Sequence, residues 1–343
     1  MDNADYPKVD VLFPFHRNDE YLKLAFKSLR ASRGVSIRII AIDDRVDSNP
    51  LPWIPNDNCV VVRSGGVGYS KALQIGKKYV ESPFVAFQDS DDLTHPLRIM
   101  KQIQKINEDG LDICCCFMLK INENSHPKLI QSPKFQCTQN SDFQFLLGSY
   151  NSNSTWVLKS PLLSDKRFFD PNYQSIDWAT TLAVISDLRI GCLEEDLYYY
   201  RQHSSQMTSS VLYHQSAFSE LFPLWSKLNA KLLLPELDQN HAERIGMGRA
   251  IRVGWDGKCI EWSRNFLDEV KNLDKRNYTN SKFVLMVRAA RQEENTFIRL
   301  WKKFSYLTLL LRHPSACREI LVLPIRYLSE LRRLFFLTRD DLI

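Results

Sequence analysis

Three aspartates that follow a short apolar segment are the residues in this sequence best suited to chemistry. The segment 84–87 is apolar and aromatic, which predicts a buried strand, and polar residues follow it: Gln88, Asp89, Ser90, Asp91 and Asp92. Asp89 and Asp91 are two residues apart, so their side chains point to the same side of an extended chain. Like charges this close favour a bound cation, and carboxylates at this spacing suit Mn²⁺ or Mg²⁺. A solvated acidic turn that caps the next helix is the alternative interpretation.

Strands that alternate with helices are predicted around these aspartates. Apolar segments indicate strands at 9–13, 37–42, 60–62, 84–87 and 111–119, and helical spacing indicates helices at about 21–29, 69–79 and 96–108. This alternation is typical of βαβ units in a parallel sheet, whose ligands bind beyond the carboxyl ends of the strands. We therefore expect the polar residues at three strand ends to meet in space. They are His16 and Arg17 after Pro14, with Asp19 as a helix N-cap candidate, then Asp43 and Asp44, then the acidic cluster.

The segment Gly65-Gly66-Val67-Gly68 precedes the second predicted helix. It matches neither the dinucleotide-binding glycine pattern nor a P-loop. It is more typical of a flexible loop at the start of a helix. Such a loop would still let the backbone approach a phosphate, with Lys71 in the first turn as a counter-charge.

Asp177 and His203 are candidates from the later part of the chain. After an irregular region at 120–175 that contains a predicted strand at 153–158, Asp177 begins a helical segment that reaches Ile185. The helix dipole favours an acidic residue there, which is the structural alternative to catalysis. His203 follows an aromatic strand at 197–201 and lies in a polar loop, where a solvated histidine is the alternative. Arg201 is either a partner of the acidic residues 194–196 or a phosphate ligand.

Composition and length indicate an ordinary folded protein. The chain has 343 residues, of which 44% are hydrophobic and 25% charged, which excludes a disordered or fibrous protein. A net charge of +5 is too small to indicate a nucleic-acid partner. The eight cysteines include the apolar run Cys114-Cys115-Cys116 and show no zinc spacing, which is typical of a reducing compartment. With no signal peptide and no long apolar segment, we expect a cytoplasmic protein.

The last third of the chain is predicted to be helical and, at its end, basic. We expect a catalytic domain at 1–212, a helical acceptor-side region at 213–280 and basic amphipathic helices at 281–343. Helical candidates are 238–253, 259–270, 297–311 and 320–337, and residues 297–339 contain nine basic and two acidic residues. Such helices favour an anionic membrane surface, here the inner face of the cell membrane. A helix packed on the core with a solvated basic face is the alternative.

The order of these motifs resembles the nucleotide-sugar half of a family 2 glycosyltransferase with the GT-A fold. The resemblance covers about residues 7–210. It rests on the strand ending near Pro14, on Asp43-Asp44, on Gly68 through Leu73, on 84–92 with Pro96-Leu97-Arg98, on Ser175 to Trp178, and on Tyr200 to His203. It implies an α/β fold with a mostly parallel, Rossmann-like sheet flanked by helices, to which this chain adds a helical C-terminal extension.

The resemblance also implies a reaction and roles for individual residues. The donor would be a nucleoside-diphosphate sugar, by preference a UDP-sugar, and the transfer would be metal-dependent and inverting. The acceptor would be a glycan or lipid-linked glycan in surface polysaccharide or lipopolysaccharide assembly. Asp44 would accept from the base, His16 would stack on it, Asp89 would contact the ribose or a metal-bound water beside Ser90, Asp91 would bind the metal with Asp89 and His203, and Asp177 would be the general base. The segment 14–17 and Gln74 depart from the family pattern, which puts the identity of the base in doubt more than the reaction.

Two other functions fit parts of the sequence. A nucleotidyltransferase also uses strand-end carboxylates and a metal, but it would carry a glycine-rich basic loop after the first strand, and residues 14–19 contain no glycine. A non-catalytic module that binds a membrane surface or a polyanion is the non-enzymatic alternative.

Overall fold

The computed structural model describes residues 6–47, 49–128, 142–147, 152–206, 211–246 and 257–273. Its strands are β1 (Lys8–Phe15), β2 (Ser36–Asp43), β3 (Cys59–Arg63), β4 (Phe84–Phe87), β5 (Leu93–Thr94), β6 (Ile113–Ile121), β7 (Val157–Lys159) and β8 (Ile190–Arg201). Its helices are α1 (Glu20–Arg30), α2 (Tyr69–Gly76), α3 (Arg98–Asp109), α4 (Ile176–Val184), α5 (Val211–Lys231), α6 (Gln239–Gly246) and α7 (Gly257–Leu273).

The eight strands form one sheet in the order β3-β2-β1-β4-β7-β6-β8-β5. Strands β1 to β4 pair in parallel, and β8 pairs in parallel with β6. Strand β7 is antiparallel to both of its neighbours, and the short β5 is antiparallel to β8. Phe15 pairs with Asp43, and Leu12 pairs with Phe87, so β1, β2 and β4 all end at the same edge. The predicted α/β class with a mostly parallel sheet is confirmed.

Apolar side chains cover both faces of the sheet because its central strands are buried on both sides. In β1, Val11 and Phe13 pack into one cluster with helices α1 and α3, while Leu12 belongs to the cluster on the opposite face. Helix α2 lies so close to the sheet on that second face that a Cβ on Gly76 would overlap the side chain of Ile42. This close approach holds α2 against the sheet, so that its first residue, Tyr69, lies near the edge where the parallel strands end.

Three elements differ from their predicted form. The predicted strand at 153–158 begins as a 3-10 turn, Asn153–Thr155, because Asn, Ser and Thr side chains bond to nearby backbone, as Thr155 Oγ1 does to the Ser152 carbonyl at 2.7 Å. The helix predicted at 69–79 stays α-helical only to Gly76 and continues as the 3-10 turn Lys77–Tyr79. Strand β8 begins seven residues before its predicted start and contains the acidic residues 194–196, and a register shift in its pairing with β6 accommodates the extra length.

The helices after the sheet pack through buried aromatic rings. Trp225 of α5 donates its indole N–H to the Leu146 carbonyl, and Trp262 of α7 donates to Asn229 at 2.7 Å. No helix within the described ranges combines the length and apolar character needed to cross a bilayer. The basic helices predicted at 297–311 and 320–337, with the whole region 281–343, lie outside the described residues. The predicted helix at 238–253 is α6 up to Gly246, and the rest of it also lies outside.

Candidate active site

The acidic turn after β4 divides into one structural and two accessible aspartates. Asp92 is fully buried, and its Oδ1 accepts the backbone N–H of Arg201 at 2.7 Å, which joins the turn to the end of β8. Burial, followed by the charges of Asp91 and Asp89, raises the pKa of Asp92 well above its usual range. Asp89 and Asp91 keep part of their side chains exposed. A ligand can therefore reach these two carboxylates.

Asp89 is held by a hydrogen-bonded pair that the sequence analysis did not single out. Tyr69, the first residue of α2, donates its hydroxyl to Asp89 Oδ1 at 2.8 Å. Asn153 Nδ2 donates to the same hydroxyl oxygen at 3.0 Å, so the single Tyr69 proton is left for Asp89. Burial, the charge of Asp91 and then the charge of Asp177 raise the pKa of Asp89 to about 7. The site therefore contains negative charge that the protein compensates only in part.

Asp91 lies next to His203. The Nε2 of His203 is 3.0 Å from Asp91 Oδ2, and its Nδ1 is 2.8 Å from Ser205 Oγ. The His203 side chain is only 7% exposed, so it is a packed residue and not a solvated one. Arg201 donates its Nε–H to the Asp91 backbone carbonyl at 2.7 Å. Arg201 is therefore buried behind the turn and does not pair with the acidic residues 194–196.

The donor atoms of this site fit a divalent cation through two protein ligands. Among the residues that the structure describes, no three acidic, His or Cys side chains gather closely enough to enclose a metal ion. Asp91 and His203 already lie side by side, and Asp89 is turned towards Tyr69. Carboxylate oxygens suit Mn²⁺ or Mg²⁺, which commonly use one or two carboxylates with substrate phosphates, and a neighbouring imidazole donor favours Mn²⁺ over the harder Mg²⁺.

Asp177 lies in the first turn of α4, as the sequence predicts. Its Oδ1 accepts the backbone N–H of Trp178 at 2.7 Å and lies 3.3 Å from the Ser175 hydroxyl. The indole N–H of Trp178 donates to the Phe145 carbonyl at 2.7 Å and anchors the start of the helix. The charge of Asp177 contributes to the raised pKa of Asp89, which indicates a long-range electrostatic interaction between Asp177 and the acidic turn.

Asp43 and Asp44 have different surroundings at the end of β2. Asp43 is buried and pairs with Arg45 through two hydrogen bonds of 2.8 Å. Asp44 Oδ1 accepts from Ser64 Oγ and the Val67 N–H, and its Oδ2 accepts from the Gly68 N–H at 2.9 Å. Asp44 therefore holds the glycine segment, which the sequence suggested to be a flexible loop.

Backbone conformation explains the glycines of that segment. Gly65, Gly66 and Gly68 have φ values of 78°, 77° and 89°, which favour residues without a Cβ. The two N–H groups that bind Asp44 come from the same segment. Since Tyr69 follows directly, the loop links Asp44 to Asp89 across the edge of the sheet.

The remaining predicted residues lie along this edge, and one of them, Ser90, belongs to the acidic turn itself. Pro14 is the last residue but one of β1, and His16 and Arg17 after it are exposed. Asp19 is the N-cap of α1 and accepts the Leu22 N–H at 3.0 Å, which is a structural role. The other two are accessible side chains on neighbouring elements, Ser90 in the turn and Lys71 on α2.

Two polar residues beneath the site also escaped the prediction of site residues. Arg98 is fully buried and donates to the carbonyls of Ser154 at 2.6 Å and Phe87 at 2.9 Å, which ties the end of β4 to the turn containing Asn153. Gln74 of α2 donates to the carbonyls of Phe168 and Phe169. The sequence signal for both residues was a polar side chain on a predicted apolar helix face. The structure explains both, because each side chain donates hydrogen bonds to buried backbone carbonyls.

Comparison with known proteins connects this geometry to a family. Residues 10–165 match the model of Glycosyl transferase family 2. A glycosyltransferase of Rickettsia typhi is 25% identical over 248 residues, 68% of this chain and 76% of the relative. The O-antigen biosynthesis glycosyltransferase WbnJ of Escherichia coli is 23% identical over 219 residues, 61% of this chain and 85% of WbnJ.

The fold is similar to that of a solved structure. Residues 1–349 of TarS from S. aureus, in complex with UDP-GlcNAc, superpose with a TM-score of 0.50 at 18% identity, covering 83% of this chain and 82% of that chain. The resemblance seen in the sequence is thereby confirmed for family and fold. Residues 10–165 match glycosyltransferase family 2, which together with the glycosyltransferase relatives supports a glycosyl-transfer enzyme, and the fold is similar to the GT-A fold of TarS.

Proposed function

We propose that the chain transfers a sugar from a nucleoside-diphosphate sugar to an acceptor hydroxyl, with a divalent metal and with inversion at the anomeric carbon. The observation that supports this most strongly is the contact between Asp91 and His203 in the acidic turn that also contains Asp89, whose pKa is raised in part by the charge of Asp177. UDP is the preferred nucleotide because the similar TarS structure contains UDP-GlcNAc.

Asp91 and His203 are the proposed metal ligands. Bound there with the diphosphate of the donor, Mn²⁺ or Mg²⁺ would neutralise charge on the departing phosphate as a Lewis acid. Asp89, held by Tyr69, is placed to orient the ribose or a water beside that site. Ser90 lies between the two carboxylates and is accessible to the same ligand.

Asp177 is the proposed general base. An acceptor hydroxyl is a weak nucleophile, and a carboxylate beside it takes its proton as the new glycosidic bond forms. The carboxylate has a hydrogen bond from the Trp178 N–H, which fixes its orientation at the start of α4. One in-line displacement by the acceptor oxygen inverts the configuration, while the diphosphate leaves on the side of Asp91.

The base of the nucleotide is proposed to bind near Asp44 and His16. A carboxylate oxygen has two lone pairs, and Asp44 Oδ2 uses one of them for Gly68. The remaining lone pair is available to a base N–H. The exposed His16 ring offers a stacking surface, while the exposed Arg17 and Lys71 offer positive charge to phosphate. Asp43 supports this loop through Arg45.

A donor screen tests this function directly. The purified protein is incubated with a panel of UDP-sugars and other nucleotide sugars, with Mn²⁺ or with EDTA, and release of the free nucleotide is measured. We expect metal-dependent release from one donor, and its loss in Asp91→Asn. Asp109→Asn is the matched control, because Asp109 is an exposed residue at the end of α3 that pairs with Lys105. Binding of a donor without any turnover would instead indicate a non-catalytic module.

The acceptor is proposed to be a glycan or lipid-linked glycan of surface polysaccharide assembly, reached from the membrane surface. The relative WbnJ acts in O-antigen biosynthesis, and residues 297–339 contain nine basic residues. Flotation with vesicles containing anionic lipid compares the full chain with a truncation that ends at Ser281. We expect the full chain to float and the truncation to remain behind. Equal flotation of both would refute the membrane role of the basic segment.

A further inference from the structure

Tyr21 belongs to the first helix and contacts the end of β8, and it has no role in the function proposed above. It is the second residue of α1, in the segment that follows β1. Its ring centroid is 4.6 Å from the Arg201 guanidinium carbon and 5.3 Å from the centroid of the His203 ring. Within the described part of the chain, its hydroxyl makes no hydrogen bond. The contacts of Tyr21 are therefore made by its ring.

The Tyr21 ring covers a buried cation. Arg201 is fully buried, its Nε bonds to the Asp91 carbonyl, and its Nη1 bonds to the Glu123 carbonyl and to Ser125 Oγ, both at 2.9 Å. Its Nη2 is buried without a hydrogen-bond partner in the described structure. A guanidinium over an aromatic face is stabilised by the negative charge of the ring face. Tyr21 thus compensates a cation that directly supports the Asp91 backbone.

The same ring packs against His203. This histidine follows β8 in a loop, so no strand or helix fixes its side chain. Its Nδ1 contacts Ser205 and its Nε2 contacts Asp91, while the Tyr21 ring lies against it at an angle of 41°. Two polar contacts of the imidazole nitrogens and one tilted contact with the Tyr21 ring together restrict its rotation.

We propose that Tyr21 is a positioning residue that holds Arg201 and His203 through its ring, so that the His203 Nε2 and the Asp91 carboxylate face the same point. This inference rests on the proposed function, because it concerns the arrangement of the two proposed metal ligands. The ring supplies the effect, and the hydroxyl is dispensable. Helix α1 thereby couples the end of β1 to the proposed metal site.

The test is the affinity of the purified protein for Mn²⁺, measured by calorimetry with saturating UDP present, because phosphate oxygens complete the proposed metal shell. Tyr21→Phe keeps the ring, and we expect its Mn²⁺ affinity within about twofold of the wild type. Tyr21→Leu keeps apolar volume but removes the ring, and we expect a loss of about 10–100-fold, as for other residues that orient metal ligands. Tyr21→Met is a second variant without a ring and should behave like Tyr21→Leu.

Phe26→Leu is the matched control. Phe26 lies on the same helix and makes an edge-to-face contact with Trp53 at 5.6 Å, away from His203. We expect this variant to lower the melting temperature and to leave the Mn²⁺ affinity unchanged. A purely structural role for Tyr21 predicts the same behaviour for Tyr21→Leu, which would overturn the positioning role.

Failure of the Tyr21 proposal can be distinguished from failure of the proposed metal site. Wild-type affinity in both Tyr21→Leu and Tyr21→Met would overturn the inference and leave the proposed metal site intact. The metal site, and the role of Tyr21 with it, would be overturned if the wild-type protein bound no Mn²⁺ or bound it no more tightly than Asp91→Asn. A loss in Tyr21→Phe equal to that in Tyr21→Leu would show that the hydroxyl, not the ring, supplies the effect, which also contradicts the proposal.

Discussion

Replacing Asp89 by asparagine is expected to stabilise the metal-free protein. Burial and the charges of Asp91 and Asp177 raise the pKa of Asp89 to about 7, against an ordinary value of 3.8. The folded protein therefore binds a proton at Asp89 that the unfolded chain has released between these two pH values. Because a raised folded-state pKa favours folding only while the group is protonated, the wild type loses stability as pH rises from about 4 through 7. Asparagine has no such charge, so Asp89→Asn avoids the loss.

The size of the effect follows from the two pKa values. At 1.36 kcal/mol for each pKa unit, the raised pKa of Asp89 lowers the stability of the folded protein, relative to low pH, by about 2 kcal/mol at pH 5 and about 4 kcal/mol at pH 8. The Asp89 side chain keeps some exposure to water, which screens its charge, so we expect about half of each figure. Asp89→Asn should therefore be more stable than the wild type by about 1 kcal/mol at pH 5 and about 2 kcal/mol at pH 8.

The assay is urea unfolding of both proteins at pH 5, 6.5 and 8 with EDTA present, which removes divalent ions. Asp10→Asn is the control, since Asp10 is a fully buried aspartate of β1 whose carboxylate is compensated by hydrogen bonds. Burial alone would raise the pKa of Asp10, but hydrogen bonds from Arg38 and from the N–H groups of Ser82 and Glu81 lower it below 3.8. Its stabilising effect is fully present above pH 4 and is lost only as pH falls through that lowered pKa.

The two aspartates thus predict effects of opposite sign. Asp10→Asn should lose stability by a similar amount at all three pH values, whereas Asp89→Asn should gain it increasingly with pH. A loss of stability in Asp89→Asn that does not change with pH would refute the reasoning, because it would mean that Asp89 is a compensated structural residue like Asp10.

Three other variants have defined outcomes. Asp10→Ala removes the buried carboxylate that pairs with the Arg38 guanidinium, and urea unfolding should show that the free energy of unfolding falls by about 3–5 kcal/mol. A decrease below 1 kcal/mol would contradict this. Asp177→Asn should lower turnover about 10²–10⁴-fold in the donor and acceptor assay while calorimetry shows donor affinity nearly unchanged, and the reverse pattern would remove the general-base role. Gly76→Ala forces a methyl group into Ile42 and should cost about 1–3 kcal/mol in unfolding experiments, with partial recovery in the double variant with Ile42→Val; no recovery would place the strain elsewhere.

Local patterns were sufficient to predict the first half of the sheet and the accessible aspartates. Strands β1, β2 and β4 are apolar segments that end in polar residues, and their parallel pairing follows from the helices between them. Asp91 and His203, predicted as metal ligands from a resemblance, lie side by side in the structure. The resemblance was needed here because 112 residues separate Asp91 from His203, and spacing along the chain places each residue only near the end of a strand.

Contacts between distant residues were not predictable in the same way. Asn153 bonds to the Tyr69 hydroxyl across 84 residues, and no local pattern connects the two. The antiparallel insertion of β7 between β4 and β6 depends on three residues only, which is too short for a clear alternation. The carboxylate of Asp44 was assigned to a base, yet two of its three hydrogen bonds in the described structure hold the glycine segment, which only the folded loop reveals.

We propose that Asp91 and His203 hold a divalent metal beside the diphosphate of a bound nucleotide, with Asp177 as the general base. An anomalous difference map from crystals grown with UDP and Mn²⁺ tests it most directly. We predict one strong peak at roughly 2.0–2.3 Å from a carboxylate oxygen of Asp91 and from the Nε2 of His203, with phosphate oxygens completing the shell. Bound UDP with no manganese peak at Asp91, or a peak at another part of the surface, would contradict the account.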